Sequence, residues 1–323
     1  MKILIREANW LGDAVMTIPS LMAIHDHYPE ASMTVVAKES ILPLFNLLAW
    51  EIEAIPLRAI KSWLRLREKK FDLAIIFPNS FRSALEVYLT GAPVRLGYGL
   101  CGRSLFLTER ISLNKDNLHQ ADYYYHLLPP LAIKGKRPNP QLVVKEKDKE
   151  LVSIWLKEKG LDIGRPLITI SPGASYGEAK CWPEENFVLL VRRLISMGEI
   201  VFVGTDRDVA LIDRIVSLSR VRAFNLAGET SITMLAALFS ISKFLVTNDN
   251  GSMHLAAALG VRVIGLFGPT DPLRTGPLGD KVTILREKVD CSPCQKRTCH
   301  TKKCFEGITV DKVMAALNED LCS

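Results

Sequence analysis

What the chain lacks narrows its class before any motif is read. No apolar run approaches the ~20 residues that a membrane-spanning helix requires. At the amino terminus Lys2 is followed by only three apolar residues before Arg6 and Glu7, too few for the apolar centre of a secretory signal. Aromatic residues make up only 7% of the chain, and no basic stripe with interleaved aromatics marks a nucleic-acid surface. The Walker A spacing is absent, as are short-period repeats and low-complexity tracts. The seven cysteines make no disulfide framework: Cys101, Cys181 and Cys322 are scattered, and four others fall between Cys291 and Cys304. These absences together predict a cytoplasmic protein without a membrane span.

What remains is an ordinary globular composition. The chain has 323 residues, of which 48% are hydrophobic and 24% charged, which favours two domains of about 150 residues. A net charge of +6 suits a phosphorylated or acidic substrate, or an anionic membrane surface. Short apolar runs alternate with helical patterns: Ile3-Leu-Ile5, Met33 to Ala37, Ile52 to Ile55, Leu73 to Phe77 and Val94 to Leu96 read as strands. Lys134-Gly-Lys-Arg-Pro-Asn-Pro140 breaks the alternation and reads as a connector. The pattern then restarts through Leu167 to Ser171, Ile200 to Val203, Phe244 to Val246 and Val263 to Phe267. Such alternation implies βαβ units and parallel sheets, so the predicted fold class is α/β with two doubly wound domains. In the tail, Val310, Val313, Met314 and Leu317 recur at helical spacing, and that apolar face needs a packing partner.

Four polar loops follow predicted strands, where doubly wound sheets place their ligands. Gly12-Asp13 opens a helix, so Asp13 is either a first-turn acid or a base aimed at a cleft. In Ser171 to Pro183 a lysine, Lys180, lies beyond a Pro-Gly turn, as a phosphate clamp would or as an ordinary surface lysine without a role. Asp208 follows Val203-Gly-Thr, where a carboxylate either takes ribose hydroxyls or caps a helix, capping being the commoner role. Asn248-Asp-Asn-Gly251 precedes an Ala-rich helix whose free N–H groups and dipole favour an anion, with Asp249 at the strand end; the equal alternative is that Asn250 or Ser252 only caps the helix and Asp249 closes the turn. His254 lies near the start of that helix, facing the same pocket or simply buried.

Taken in order, Asn9-Trp-Leu-Gly-Asp-Ala14, Pro78-Asn-Ser80, Arg95-x-Gly-Tyr98, Ser171 to Pro183, Thr247 to Ala257 and Phe267-Gly-Pro-Thr-Asp-Pro272 resemble the ADP-heptose:lipopolysaccharide heptosyltransferases of glycosyltransferase family 9, over essentially the whole chain. The resemblance implies a GT-B fold, two Rossmann-like domains facing a cleft. The acceptor domain would span 1–145, the ADP-sugar domain 146–308, and a C-terminal helix over 309–323 would pack back on the first domain. It implies inverting transfer of heptose from ADP-heptose to the first heptose of the lipopolysaccharide inner core, with no metal or other cofactor. Another donor or acceptor within the family, or a non-catalytic nucleotide binder, are the alternative readings.

Carried over residue by residue, Asp13 matches the general base and Lys180 the cation that neutralises the leaving pyrophosphate. Ser175 and Tyr176 fall at phosphate-loop positions, although a tyrosine departs from the small hydroxyl of some relatives. Asp208 matches the acid on the ribose and Asp249 the acid on sugar hydroxyls. Asn250, Gly251, Ser252 and His254 match the phosphate-contacting turn and helix start. Candidate acceptor contacts are Asn9, Lys61, Asn79, Arg82 and Tyr98. The implied partners are the nucleotide sugar and an anionic lipopolysaccharide precursor at the inner face of the inner membrane. The spacing of Cys291, Cys294, Cys299 and Cys304 permits a structural zinc knuckle, with plain thiols the more ordinary reading.

Overall fold

The computed structural model describes residues 1–100, 102–112 and 118–318; Cys101, Cys322 and the tail beyond 318 lie outside the described residues. The chain divides into two compact units, Met1–Gln141 and Leu142–Ser323. The expected boundary at 145/146 therefore falls at 141/142, just beyond the Pro-rich connector.

The first unit is built on β1 (Lys2–Arg6), β2 (Ser32–Ala37), β3 (Glu53–Pro56), β4 (Leu73–Ile76), β5 (Val94–Tyr98) and β6 (Glu109–Ile111), with helices α1 (Leu11–His27), α2 (Lys61–Arg65), α3 (Phe81–Tyr88) and α4 (Gln120–Tyr125). The strands form one parallel sheet in the order β3-β2-β1-β4-β5-β6. The second unit comprises α5 (Glu146–Glu158), β7 (Leu167–Ser171), α6 (Glu184–Leu194), β8 (Glu199–Phe202), α7 (Val209–Ser219), β9 (Phe224–Asn225), α8 (Ile232–Ser240), β10 (Ser242–Asn248), α9 (Gly251–Ala258), β11 (Val263–Phe267), α10 (Pro272–Thr275), β12 (Val282–Arg286), α11 (Lys303–Glu306) and α12 (Val310–Asn318). Its sheet, also parallel, runs β12-β11-β10-β7-β8-β9.

Renumbered from its own first strand, the second sheet has the same order as the first. In both, the order reverses between the first and fourth strands, β1 and β4 in one unit, β7 and β10 in the other. At such a reversal adjacent loops diverge to opposite faces and open a crevice at the carboxyl ends of the strands. The central strands are apolar in their middles because both faces are covered there: Ile3, Leu4 and Ile5 in β1, and Leu245 and Val246 in β10, are fully buried.

The described part of the tail has a packing partner. α12 buries Val310, Val313, Ala316 and Leu317 in the core of the second unit, with Ile264 and Leu266 of β11 and Leu190 and Leu194 of α6. Arg262 ties it down through its guanidinium, which donates to the carbonyls of Ala316 and Leu317. The apolar face is thus satisfied inside the core of the second unit. Among the described residues, no helix is long and apolar enough to cross a membrane.

Candidate functional site

In the second unit, the loops after β7 and β10 meet at the reversal point. Lys180 donates from Nζ to Asp249 Oδ2 at 2.7 Å, and both side chains are largely enclosed. The same carboxylate oxygen accepts from Thr270 Oγ1 at 2.6 Å. Thr270 comes from the turn after β11, so three loops converge on one carboxylate. Thr270 belongs to the Gly-Pro-Thr-Asp motif, but its pairing with Asp249 has no local sequence signal.

The turn around Asp249 is fixed by its amide neighbours. Asn248 accepts the Trp182 N–H at 3.0 Å and donates to the Pro172 carbonyl at 2.5 Å. Asn250 caps α9, accepting from the Met253 N–H at 3.3 Å, while its Nδ2 donates to Ser171 Oγ at 3.0 Å and the Gly173 carbonyl at 2.8 Å. The Asn250 side chain is therefore occupied in joining the two loops, and the anion-binding capacity of this turn resides in the backbone N–H groups of Gly251 and Ser252. His254 is buried on α9. Ser175 is exposed in the β7 loop.

Asp208 is a helix cap. Its Oδ2 accepts from Thr205 N–H at 2.8 Å and Thr205 Oγ1 at 2.9 Å, the reciprocal half of a capping box. It nevertheless lies against the β7 loop: a side chain at Gly173 would have to push the Asp208 carboxylate aside.

Tyr176 plays a part the sequence did not signal. Its hydroxyl donates to the Gln295 carbonyl at 2.8 Å, and its ring is flanked by Lys180 Nζ at 4.9 Å and the Arg297 guanidinium at 5.2 Å. The large ring in place of a small hydroxyl joins the β7 loop to the cysteine-bearing segment. Within that segment Cys291, Cys294, Cys299 and Cys304 are free thiols. Among the described residues no three His, Cys, Asp or Glu side chains are placed to hold a metal ion, so the zinc-knuckle reading of the spacing is not carried forward. The Cys299 thiol is held below its usual range by N–H groups of Lys302 and Thr301 and by the Thr301 hydroxyl, whereas burial pushes Cys304 up.

In the first unit, Asp13 lies in the first turn of α1, half-buried, and accepts from Tyr124 Oη at 3.0 Å across 111 residues of sequence. Tyr124 of α4 is enclosed against Phe77, with ring centroids 5.4 Å apart, and burial followed by the Asp13 charge pushes its phenol well above its usual range. It therefore stays a hydrogen-bond donor at any working pH. Beneath Asp13, Glu7 is fully buried, and burial raises it from 4.5 to about 8 despite N–H and hydroxyl donors from Ala8 and Thr17. The Asp13 charge adds to that rise. Thr17 Oγ1 also lies 2.7 Å from the Ala14 carbonyl. A hydroxyl has one proton, so a neutral Glu7 that donates to Thr17 and leaves that proton for Ala14 satisfies every partner.

The candidate acceptor residues divide. Asn9 accepts from the Arg6 guanidinium at 3.3 Å, and Asn79 donates to Tyr123 Oη at 2.6 Å. Both follow strands at the reversal point, Asn9 after β1 and Asn79 after β4. Arg82 pairs with buried Glu86 at 2.8 Å, whose other oxygen holds Arg6 at 3.0 Å. Lys61 lines a hollow of about 530 Å³ with Arg58, Ser62 and Arg65. Tyr98 is a correction: it is fully buried, and its hydroxyl donates to the Tyr123 carbonyl at 2.6 Å, so it packs the core and is out of reach of an acceptor.

Two doubly wound sheets of one strand order, one ending in a lysine–carboxylate pair beside a helix start, have the architecture of GT-B glycosyltransferases. The chain belongs to glycosyltransferase family 9 (heptosyltransferase), whose profile matches residues 59–305. It is 33% identical to lipopolysaccharide heptosyltransferase 2 of Salmonella typhimurium, over 88% of each chain. It is 28% identical to lipooligosaccharide heptosyltransferase 2 of Haemophilus ducreyi, over 99% of each. The solved structure of E. coli ADP-heptose lipopolysaccharide heptosyltransferase II superposes with a TM-score of 0.89 at 31% identity, covering 100% of this chain and 99% of that one.

Proposed function

We propose that this glycosyltransferase moves L-glycero-D-manno-heptose from ADP-heptose to the first heptose of the lipopolysaccharide inner core, with inversion and without a metal ion. The observation that carries the reading is the enclosed Lys180–Asp249–Thr270 cluster at the reversal point of the second sheet. A lysine and a carboxylate there suit the two halves of a nucleotide sugar, the ammonium for diphosphate oxygens and the carboxylate for sugar hydroxyls. Departure of ADP builds negative charge, which Lys180 and the N–H groups at the start of α9 would meet. Asp13 takes the proton of the acceptor hydroxyl as that oxygen attacks the anomeric carbon. Tyr124 donates to one Asp13 oxygen and so supports the carboxylate as a charged base. Arg58, Lys61 and Arg65 around their hollow would take the acidic groups of an inner-core acceptor. Action at the cytoplasmic face of the inner membrane follows from that acceptor.

The test is incubation of the purified protein with ADP-heptose and defined acceptors, followed by mass measurement of the product. Addition of one heptose only to acceptors that already carry the first heptose, undiminished by chelator, is the expected result. Transfer to an acceptor lacking that heptose, or turnover only with another nucleotide sugar, would move the chain elsewhere in the family. Asp13→Ala should abolish transfer while ADP still binds; full turnover by that variant would overturn the assignment of the base.

A further inference from the structure

The segment from Cys291 to Cys304 has a place in the fold that its cysteines do not explain. β10 lies between β11 and β7 in the sheet, and the segment is fastened to the loops that follow both of these neighbours. On the β11 side, Ser292 Oγ donates to the Gly268 carbonyl at 2.6 Å, and the N–H groups of Cys294 and Gln295 donate to the Pro269 carbonyl at 3.0 and 2.9 Å. On the β7 side, Tyr176 Oη donates to the Gln295 carbonyl at 2.8 Å, the Ala179 N–H to the Arg297 carbonyl at 3.0 Å, and Lys302 Nζ to the Cys181 carbonyl at 3.0 Å. The approach is close enough that a Cβ on Gly177 would stand 2.4 Å from the Arg297 carbonyl oxygen. The segment therefore bridges the carboxyl end of β10, where Asp249 sits.

Its side chains are cationic there. The Arg297 guanidinium and Lys180 Nζ share the ring of Tyr176, which places them no more than about 10 Å apart. Lys180 is already neutralised by Asp249. Arg297 is exposed and has no carboxylate partner among the described residues. A nucleoside diphosphate brings about two negative charges to this end of the sheet, and one balanced lysine does not match them. The planar guanidinium, with its fork of donors, suits phosphate oxygens.

We propose that the cysteine-bearing segment is a wall of the donor site and that Arg297 is its second diphosphate-binding cation, with Tyr176 orienting both cations. This rests on the reading of the Lys180–Asp249 end as the donor site, and it assigns the segment a role in binding the nucleoside diphosphate. Binding of ADP and of adenosine to the full chain, measured calorimetrically at several salt concentrations, tests it with the variants Arg297→Ala, Arg297→Lys, Tyr176→Phe and Lys180→Ala. Arg297→Ala should weaken ADP binding about tenfold, reduce its salt dependence and leave adenosine binding unchanged, and Arg297→Lys should restore most of the loss. Tyr176→Phe, which keeps the ring but loses the contact to Gln295, should weaken ADP by a smaller factor. Unchanged ADP affinity in Arg297→Ala while Lys180→Ala loses binding would overturn the role of Arg297 and leave the donor site standing. If neither variant alters ADP binding, both readings fall. Equal losses for ADP and adenosine, without rescue by lysine, would reduce Arg297 to a packing residue and overturn the proposal.

Discussion

Replacing Glu7 with glutamine isolates one buried proton. The carboxyl is fully enclosed and titrates at about 8 in the folded protein against 4.5 in an open chain. Between those values folding takes up a proton, so the stability contributed by the neutral group is complete below about pH 4.5 and drains away as pH rises through 8. Linkage gives a slope of at most about 1.4 kcal/mol per pH unit, and integration from pH 6 to 9 gives a loss of roughly 2.5 kcal/mol. A glutamine keeps the shape: its oxygen accepts from the Ala8 N–H as Glu7 Oε1 does at 2.6 Å, and its amide donates to Thr17 Oγ1, 3.0 Å away. It does not titrate. Amide hydrogen exchange of β1 and α1, corrected for intrinsic rates, reads the local opening free energy at pH 6, 7, 8 and 9. The wild type should lose protection across this range relative to Glu7→Gln, and the difference should level off above pH 9. Parallel pH profiles for the two proteins would show that Glu7 is not the group that ionises, and the account of the Thr17 hydrogen bonds would fall with it. Because a charged Glu7 also adds a negative charge beneath Asp13, transfer activity should decline on the alkaline side in the wild type and less so in the variant.

Other perturbations have equally direct readouts. Tyr124→Phe removes a donor to the Asp13 carboxylate, worth about 1 kcal/mol or roughly fivefold in kcat, and it should move the acid limb of the rate profile to higher pH. Thr270→Val leaves Asp249 without its hydroxyl donor and should raise KM for the nucleotide sugar several-fold, while urea midpoints change little. Asn248→Ala orphans the Trp182 N–H and the Pro172 carbonyl in the interior, and should cost about 2–4 kcal/mol in denaturant unfolding. Gly177→Ala must push the Arg297 backbone away, so ADP binding should weaken without a large drop in Tm.

Much of the fold was legible because the central strands are covered on both faces. Ile3-Leu-Ile5 and Leu167 to Ser171 announce themselves as apolar runs, and Thr205-x-x-Asp208 announces its cap. The missed strands are edges or nearly so. β6 reads Glu-Arg-Ile and is largely exposed, β9 is two residues long, and β12 is only half-buried, so none needed an apolar run. In the candidate site, residues that act through a neighbouring strand end or helix start, such as Asp13, Lys180 and Asp249, could be placed by local pattern. Tyr124, Thr270 and Arg297 could not, because each meets its partner through tertiary proximity alone. The cysteines do not announce how their segment is held: it is fastened by backbone N–H and carbonyl groups with the Ser292 and Tyr176 hydroxyls and the Lys302 ammonium.

The burial of α12 bears on how the protein is made. β11 and α6 have no complete apolar cover until Val313, Ala316 and Leu317 arrive, so the second unit cannot close its core until synthesis has passed residue 317. The first unit ends at Gln141 and waits for nothing. On a ribosome adding about 5–20 residues per second, the first unit has on the order of ten seconds or more to fold before its companion can begin to lock. During that interval the half-made second unit is the exposed, aggregation-prone part of the nascent chain.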